Sequence, residues 1–224
     1  MNGELLVVDD VPGEFSQRVI EAFHGRPDEA FCLAVSGGAT ARRCYERLAG
    51  DGADQIDWWQ VDIYWGDERC VPPDDPDSNE RLVREALLQR VGAANAVYPM
   101  RCAEGPDPYQ QRVAEVRKFD VIHLGMGPCG HTASLFPASP ALNADPGRLV
   151  VTNEDPSGRN QHERMTFTFS AIGRGRLVIV TVEGEQKREA LDRVRAGDPE
   201  VPASRITGDH VLWLVDPAAA GSAS

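Results

Sequence analysis

Gly125-Met-Gly-Pro-Cys-Gly-His131 sets three glycines ahead of a histidine, directly after the apolar run Phe119 to Leu124. A strand ending in this pattern lets backbone amides approach an anion closely, with Gly127 and Gly130 as candidate contacts. The histidine adds a group whose ordinary pKa lies near neutrality, suited to moving a proton to or from water or a sugar oxygen. A dinucleotide site has similar glycine spacing but also needs an acidic residue about 20 residues on, at a strand end. Glu154 and Asp155 stand near that distance in a Pro/Gly/Asn-rich stretch, which argues against a dinucleotide. Alone, the pattern leaves an ordinary loop histidine equally open.

Three further groups carry chemistry. In Ser36-Gly-Gly-Ala-Thr40 two glycines follow the apolar run Phe31 to Val35 and precede a helical stripe. A helix N-terminus there presents free amides to an anion, so Ser36, Gly37, Gly38 and Thr40 are candidate substrate contacts. Asp67, Glu68 and Arg69 follow the run Val61 to Trp65. A guanidinium at that strand end forks onto phosphate or carboxylate oxygens, with a neighbouring carboxylate to hold it. Lys187 is one of only two lysines, the other being Lys118, and follows the apolar run Leu177 to Val182. It reads as the first turn of a helix, reaching back toward the loop face, where an ammonium binds phosphate as a point charge. His123, inside its strand, reads as a core histidine, while His162 and Arg164 flank a polar loop that is expected to be mobile and to close over substrate.

These blocks resemble the 6-phosphogluconolactonase family. The resemblance rests on Gly-His131-Thr-Ala-Ser-Leu-Phe-Pro137, Ser36-Gly-Gly-Ala-Thr40, Gly66-Asp-Glu-Arg69 with Val71-Pro-Pro and Pro76-Asp-Ser-Asn79, and Gly184-Glu-Gln-Lys187. It runs from about Phe15 to Ala219. Related glucosamine-6-phosphate deaminases share the glycine-histidine core but continue with a different, acid-containing tail. The resemblance implies hydrolysis of 6-phospho-D-glucono-1,5-lactone to 6-phosphogluconate in the oxidative pentose phosphate pathway, with no metal or organic cofactor. It puts Asp67 and Arg69 on site positions and makes Glu68 structural. With it, His131 is the expected general base, amides of the Gly125 to Gly130 loop are candidate oxyanion donors, and Arg69, Lys187 and the Ser36 to Thr40 loop are expected to hold the phosphate. One position departs from the family, which usually has aspartate where this chain has Cys129. That departure keeps a pocket-retaining sugar-phosphate binder with little turnover as an alternative, beside an isomerase or deaminase of the same fold.

The formal charge of −12 argues against general nucleic-acid or anionic-membrane binding, so the expected partner is a small phosphorylated sugar lactone. An anionic substrate then needs a local cationic cluster inside an acidic envelope. Five cysteines without a C-x-x-C pair, and no signal or spanning segment, imply a reduced cytoplasmic protein.

Strand and helix patterns alternate to give one α/β domain over residues 1–217, followed by an Ala/Ser-rich tail, 218–224, expected to be disordered. The expected strands are Leu5–Val8, Phe31–Val35, Val61–Trp65, Phe119–Leu124, Leu149–Thr152, Met165–Phe169, Leu177–Val182 and Val211–Val215. Asp10 is placed as the cap of the first helix, and Asp77 with Glu80 as a capping box further on. The mainly parallel sheet flanked by helices puts functional loops at the strand C-termini. The resemblance sharpens this to the Rossmann-like fold of sugar-phosphate isomerases and deaminases.

Overall fold

The computed structural model describes residues 1–221. In chain order the elements are β1 (Glu4–Val7), α1 (Val11–His24), β2 (Phe31–Val35), α2 (Ala39–Asp51), β3 (Val61–Trp65), β4 (Asp67–Arg69), α3 (Asn79–Val83), β5 (Ala96–Tyr98), α4 (Pro106–Glu115), β6 (Phe119–Gly125), β7 (Val150–Asn153), β8 (Arg164–Phe167), α5 (Phe169–Ile172), β9 (Gly175–Val182), α6 (Arg188–Arg195), β10 (His210–Val215) and α7 (Pro217–Ala220). Seven strands form a parallel sheet in the order β1-β10-β9-β6-β2-β3-β5. The other three make a small antiparallel sheet, β4-β8-β7.

Strand β6 is buried from Phe119 to Leu124 and lies mid-sheet, which is why its sequence is a continuous apolar run rather than an alternation. Helix α1 starts where the Asp10 carboxylate accepts from the Gly13 amide at 3.0 Å, and it buries Phe15, Val19 and Phe23. Helix α2 buries Cys44, Tyr45 and Leu48 along one stripe. The strand order has a direct consequence for the site. The adjacent strands β9, β6, β2 and β3 run parallel, so the Lys187 turn, the His131 loop, the Ser36 loop and Asp67 all leave the sheet at one edge.

Several expectations need correction. Strands β4 and β5 were not expected, because three residues such as Asp67-Glu-Arg69 carry no readable alternation. Phe169 begins α5, where the Thr168 hydroxyl caps the helix, instead of ending β8. Ser78, not Asp77, caps α3, and the Glu68 carboxylate takes the amides of Asn79 and Glu80, both at 2.7 Å. Lys187 closes a 3-10 turn before α6.

Cys70 and Cys102 form a disulfide across a sequence separation of 32, against the expectation of a fully reduced chain. The end of β4 and the turn after β5 converge in space, which sequence spacing does not reveal. Residues 217–220 are helical, capped by Asp216, so disorder does not start at residue 218; residues 222–224 lie outside the described part. Among the described residues no helix is long and apolar enough to cross a membrane.

Candidate active site

The four strand ends enclose a cavity of about 240 Å³. Of the sequence-derived candidates, Ser36, Gly37, Gly38, Thr40, Asp67, Arg69, Gly127, His131 and Lys187 line it, and Gly130 does not. Gly130 instead turns the loop with a positive φ and packs on Val201, its carbonyl accepting from the Ala203 amide at 3.0 Å. The Gly127 amide donates to the His131 carbonyl at 2.8 Å, and the Gly130 amide to the Gly127 carbonyl at 2.9 Å. These two of the loop amides named as candidate oxyanion donors are therefore committed to closing the loop on itself.

That closure sets the catalytic candidate in place. The His131 ring lies so close over Gly127 that a Cβ there would fall 2.0 Å from Cε1, so only glycine permits this approach. On another side Phe136 packs with its ring centroid 5.1 Å away. Nδ1 meets the Cys129 sulfur at 3.1 Å, while Nε2 has no hydrogen-bond partner among the described residues. Burial pushes the imidazole down to about 4, the cations Lys187 and Arg164 push the same way, and Asp67 opposes them. The ring is neutral at neutral pH.

Asp67 is buried and fixed from several directions. Ser134 Oγ donates to its Oδ2 at 2.8 Å, and Asn79 Nδ2 donates to its backbone carbonyl at 2.9 Å and to Oδ1 at 3.3 Å. The side-chain oxygen of Asn79 lies so close to Gly37 that a Cβ there would fall 1.8 Å from it, so this phosphate-loop candidate and the Asp67 support pack directly together. Ser134 and Asn79 sit inside recognised motifs, yet the sequence assigned them no role.

The basic residues fill the remaining wall. Arg69 and Arg164 are direct partners in the β4–β8 ladder and both line the cavity. Like charges opposite one another in a ladder repel. Burial and the nearby Arg69 charge hold the Arg164 guanidinium below its ordinary range, and burial does the same for Lys187. Arg69 donates to the Asp77 carbonyl at 2.6 Å, Arg164 to the His162 carbonyl at 3.2 Å, and Lys187 to the Met126 carbonyl. None of the three is ion-paired among the described residues, although the chain is strongly acidic.

The segment Asn153 to Glu163, expected to be a mobile loop, is tied internally by Asp155, which accepts from Ser157 and Asn160, and externally by His162 with Asp77 at 3.0 Å. Asn160 lines the cavity from this loop. At the far wall, the N-terminal turn of α2 lines the cavity behind Gly38, and the Ser36 amide donates to the Tyr45 hydroxyl at 2.6 Å. The sum is a cationic cavity with helix-terminal amides on one side and an unoccupied imidazole nitrogen on another. It can hold a phosphate ester and remove a proton from water.

Comparison with known proteins identifies relatives over most of the chain. The sequence matches the family described as glucosamine-6-phosphate isomerases/6-phosphogluconolactonase over residues 7–213. It is 36% identical over 203 residues to a 6-phosphogluconolactonase of Synechocystis sp., covering 82% of this chain and 81% of that one. A 6-phosphogluconolactonase of Mycobacterium tuberculosis is 38% identical over 204 residues, with the same coverage of 82% and 81%. The solved 6-phosphogluconolactonase of Thermotoga maritima superimposes with a TM-score of 0.83 at 27% identity, over 95% of this chain and 98% of that one. A monomeric glucosamine-6-phosphate deaminase, at 17% identity and a TM-score of 0.84 over 97% and 99% of the two chains, shares the fold alone. The chain belongs to the glucosamine-6-phosphate isomerase/6-phosphogluconolactonase family.

Proposed function

We propose that this protein hydrolyses 6-phospho-D-glucono-1,5-lactone to 6-phosphogluconate in the oxidative pentose phosphate pathway, with His131 as general base. The observation that carries the reading is the convergence of three cations, Arg69, Arg164 and Lys187, without ion pairs among the described residues, on a cavity that also holds the His131 Nε2, which has no partner among them. A dianionic phosphate meets the demand that the opposed arginines create.

In the reaction, Nε2 takes a proton from water as its oxygen bonds to the lactone carbonyl carbon. The resulting tetrahedral oxyanion collapses with cleavage of the ring C–O bond. The imidazolium returns its proton to the departing sugar oxygen, and the new acid ionises to a carboxylate. Asp67, locked by Ser134 and Asn79, favours the imidazolium electrostatically. With the Gly127 and Gly130 amides committed elsewhere, stabilisation of the oxyanion falls to the cationic side chains and the other amides that line the cavity. Ser36, Gly37, Gly38 and Thr40 complete the anion-binding wall. The proposed place of action is the cytoplasm, where phosphorylated sugars are retained.

The test uses lactone generated enzymatically and follows its loss against the spontaneous rate. Saturable turnover, competitively inhibited by 6-phosphogluconate, is expected. Thermal stabilisation by 6-phosphogluconate without turnover identifies a binding protein instead, and release of ammonia from glucosamine 6-phosphate identifies a deaminase.

A further inference from the structure

Resting on the assignment of His131 as base, the inference concerns the sulfur beside it. Neutral imidazole carries one proton, and its location decides whether the ring is a base toward the cavity. With the proton on Nδ1, Nε2 keeps its lone pair and accepts from water. With the proton on Nε2, the nitrogen facing the cavity has no lone pair to offer.

The group that arbitrates is Cys129, whose Sγ lies 3.1 Å from Nδ1. Gly127 and Phe136 wedge the ring, so it cannot turn to exchange one nitrogen for the other without displacing its neighbours. Among the described residues, Nδ1 has no other partner. A thiol is a weak donor and a weak acceptor. As acceptor it holds the productive tautomer; as donor it holds the unproductive one. A carboxylate at this position accepts only, and commits the ring to the productive form.

We propose that Cys129 is a positioning residue for His131, setting the imidazole tautomer through Nδ1 and thereby the fraction of enzyme that is competent as a base. The sulfur does not attack the lactone in this account. It is absent from the cavity wall, which Gly127, Pro128 and His131 form on that side.

Long-range nitrogen–proton correlation spectra of the imidazoles report the tautomer directly, and the His131 signals are identified by their loss in His131→Gln. Spectra and steady-state kinetics are recorded for the wild type and for Cys129→Asp, Cys129→Ser and Cys129→Ala. Cys129→Asp is expected to raise the Nδ1–H population and to raise kcat or leave it unchanged. Cys129→Ser, whose hydroxyl also accepts, keeps kcat within about threefold of the wild type. Cys129→Ala lowers the Nδ1–H population and cuts kcat about 10-fold, part of the 10²- to 10⁴-fold that a general base contributes, with KM within about twofold.

The proposal is overturned if Cys129→Ala leaves tautomer and kcat as in the wild type. It is equally overturned if Cys129→Ser loses turnover while keeping the Nδ1–H form, since that result makes the thiol a nucleophile. Because the spectra are taken without substrate, they stand even if the lactonase reading fails, and His131→Ala retaining full turnover overturns the base assignment separately.

Discussion

His123 and His131 belong to the same strand-and-loop unit, and burial lowers both imidazoles, to about 3 and about 4. They differ in what their nitrogens touch. In β6, His123 is fully buried, with Nδ1 on the Tyr45 hydroxyl at 2.9 Å and Nε2 on the Thr181 hydroxyl at 3.0 Å. Both of its sites are taken, so its role is structural. Its hydrogen bonds continue through the Tyr45 hydroxyl to the Ser36 amide. At the loop, His131 has one nitrogen on a sulfur and the other free. A low pKa keeps each ring neutral, and an unfilled nitrogen is what separates the proposed base from the core histidine.

The sharpest way to break this comparison is to remove each ring in turn. His131→Ala is expected to lower lactone turnover about 10²- to 10⁴-fold with the thermal transition preserved. Gly127→Ala drives a methyl into the His131 ring and displaces it, which at roughly 1 Å is expected to cost about 10²-fold in kcat. Arg69→Ala, Arg164→Ala and Lys187→Ala act on the other half of the site. Each is expected to weaken 6-phosphogluconate binding by roughly 1.5–3 kcal/mol, the worth of a charged hydrogen bond. Unchanged affinity in all three removes their phosphate role.

His123→Leu is the mirror experiment. It strands the Tyr45 and Thr181 hydroxyls and is expected to cost about 1–3 kcal/mol of stability by urea unfolding, while the folded fraction turns over substrate normally.

Acid sharpens the same contrast. Both folded pKa values lie below the unfolded value of ~6.5, so the native state binds fewer protons in between. The stability that these rings contribute is fully present above pH ~6.5 and is lost as pH falls from there toward about 4 for His131 and about 3 for His123. Urea midpoints measured against pH should show this slope, and His123→Leu should flatten it at its acid end. The acid limb of kcat/KM should track His131 alone, at about 4. A limb near pH ~6.5 would mean that the imidazole of the free enzyme is solvated rather than buried.

The parts of the molecule that were legible in sequence are those written in continuous apolar runs and glycine turns. Phe31–Val35 and Val61–Trp65 form strands with those bounds, and the residues just after both line the cavity. The unreadable parts depend on contacts between distant segments. In sequence Arg164 reads as the flank of a loop that closes over substrate, because its pairing with Arg69 exists only once β4 and β8 lie antiparallel. Glu68 acts as a cap for α3 from another element, displacing the local Asp77 signal. Gly130 carried the right residue type and still missed the cavity, because the loop turns it onto Val201. The Cys70–Cys102 bond has no local signature at all.

The most direct measurement is lactone hydrolysis above the spontaneous rate by wild type, His131→Ala and His123→Leu, each normalised to folded protein. The account predicts saturable turnover for wild type, near-wild-type turnover for His123→Leu, and a loss of about 10²-fold or more for His131→Ala. Turnover undiminished in His131→Ala, or equal losses in both histidine variants, would contradict it.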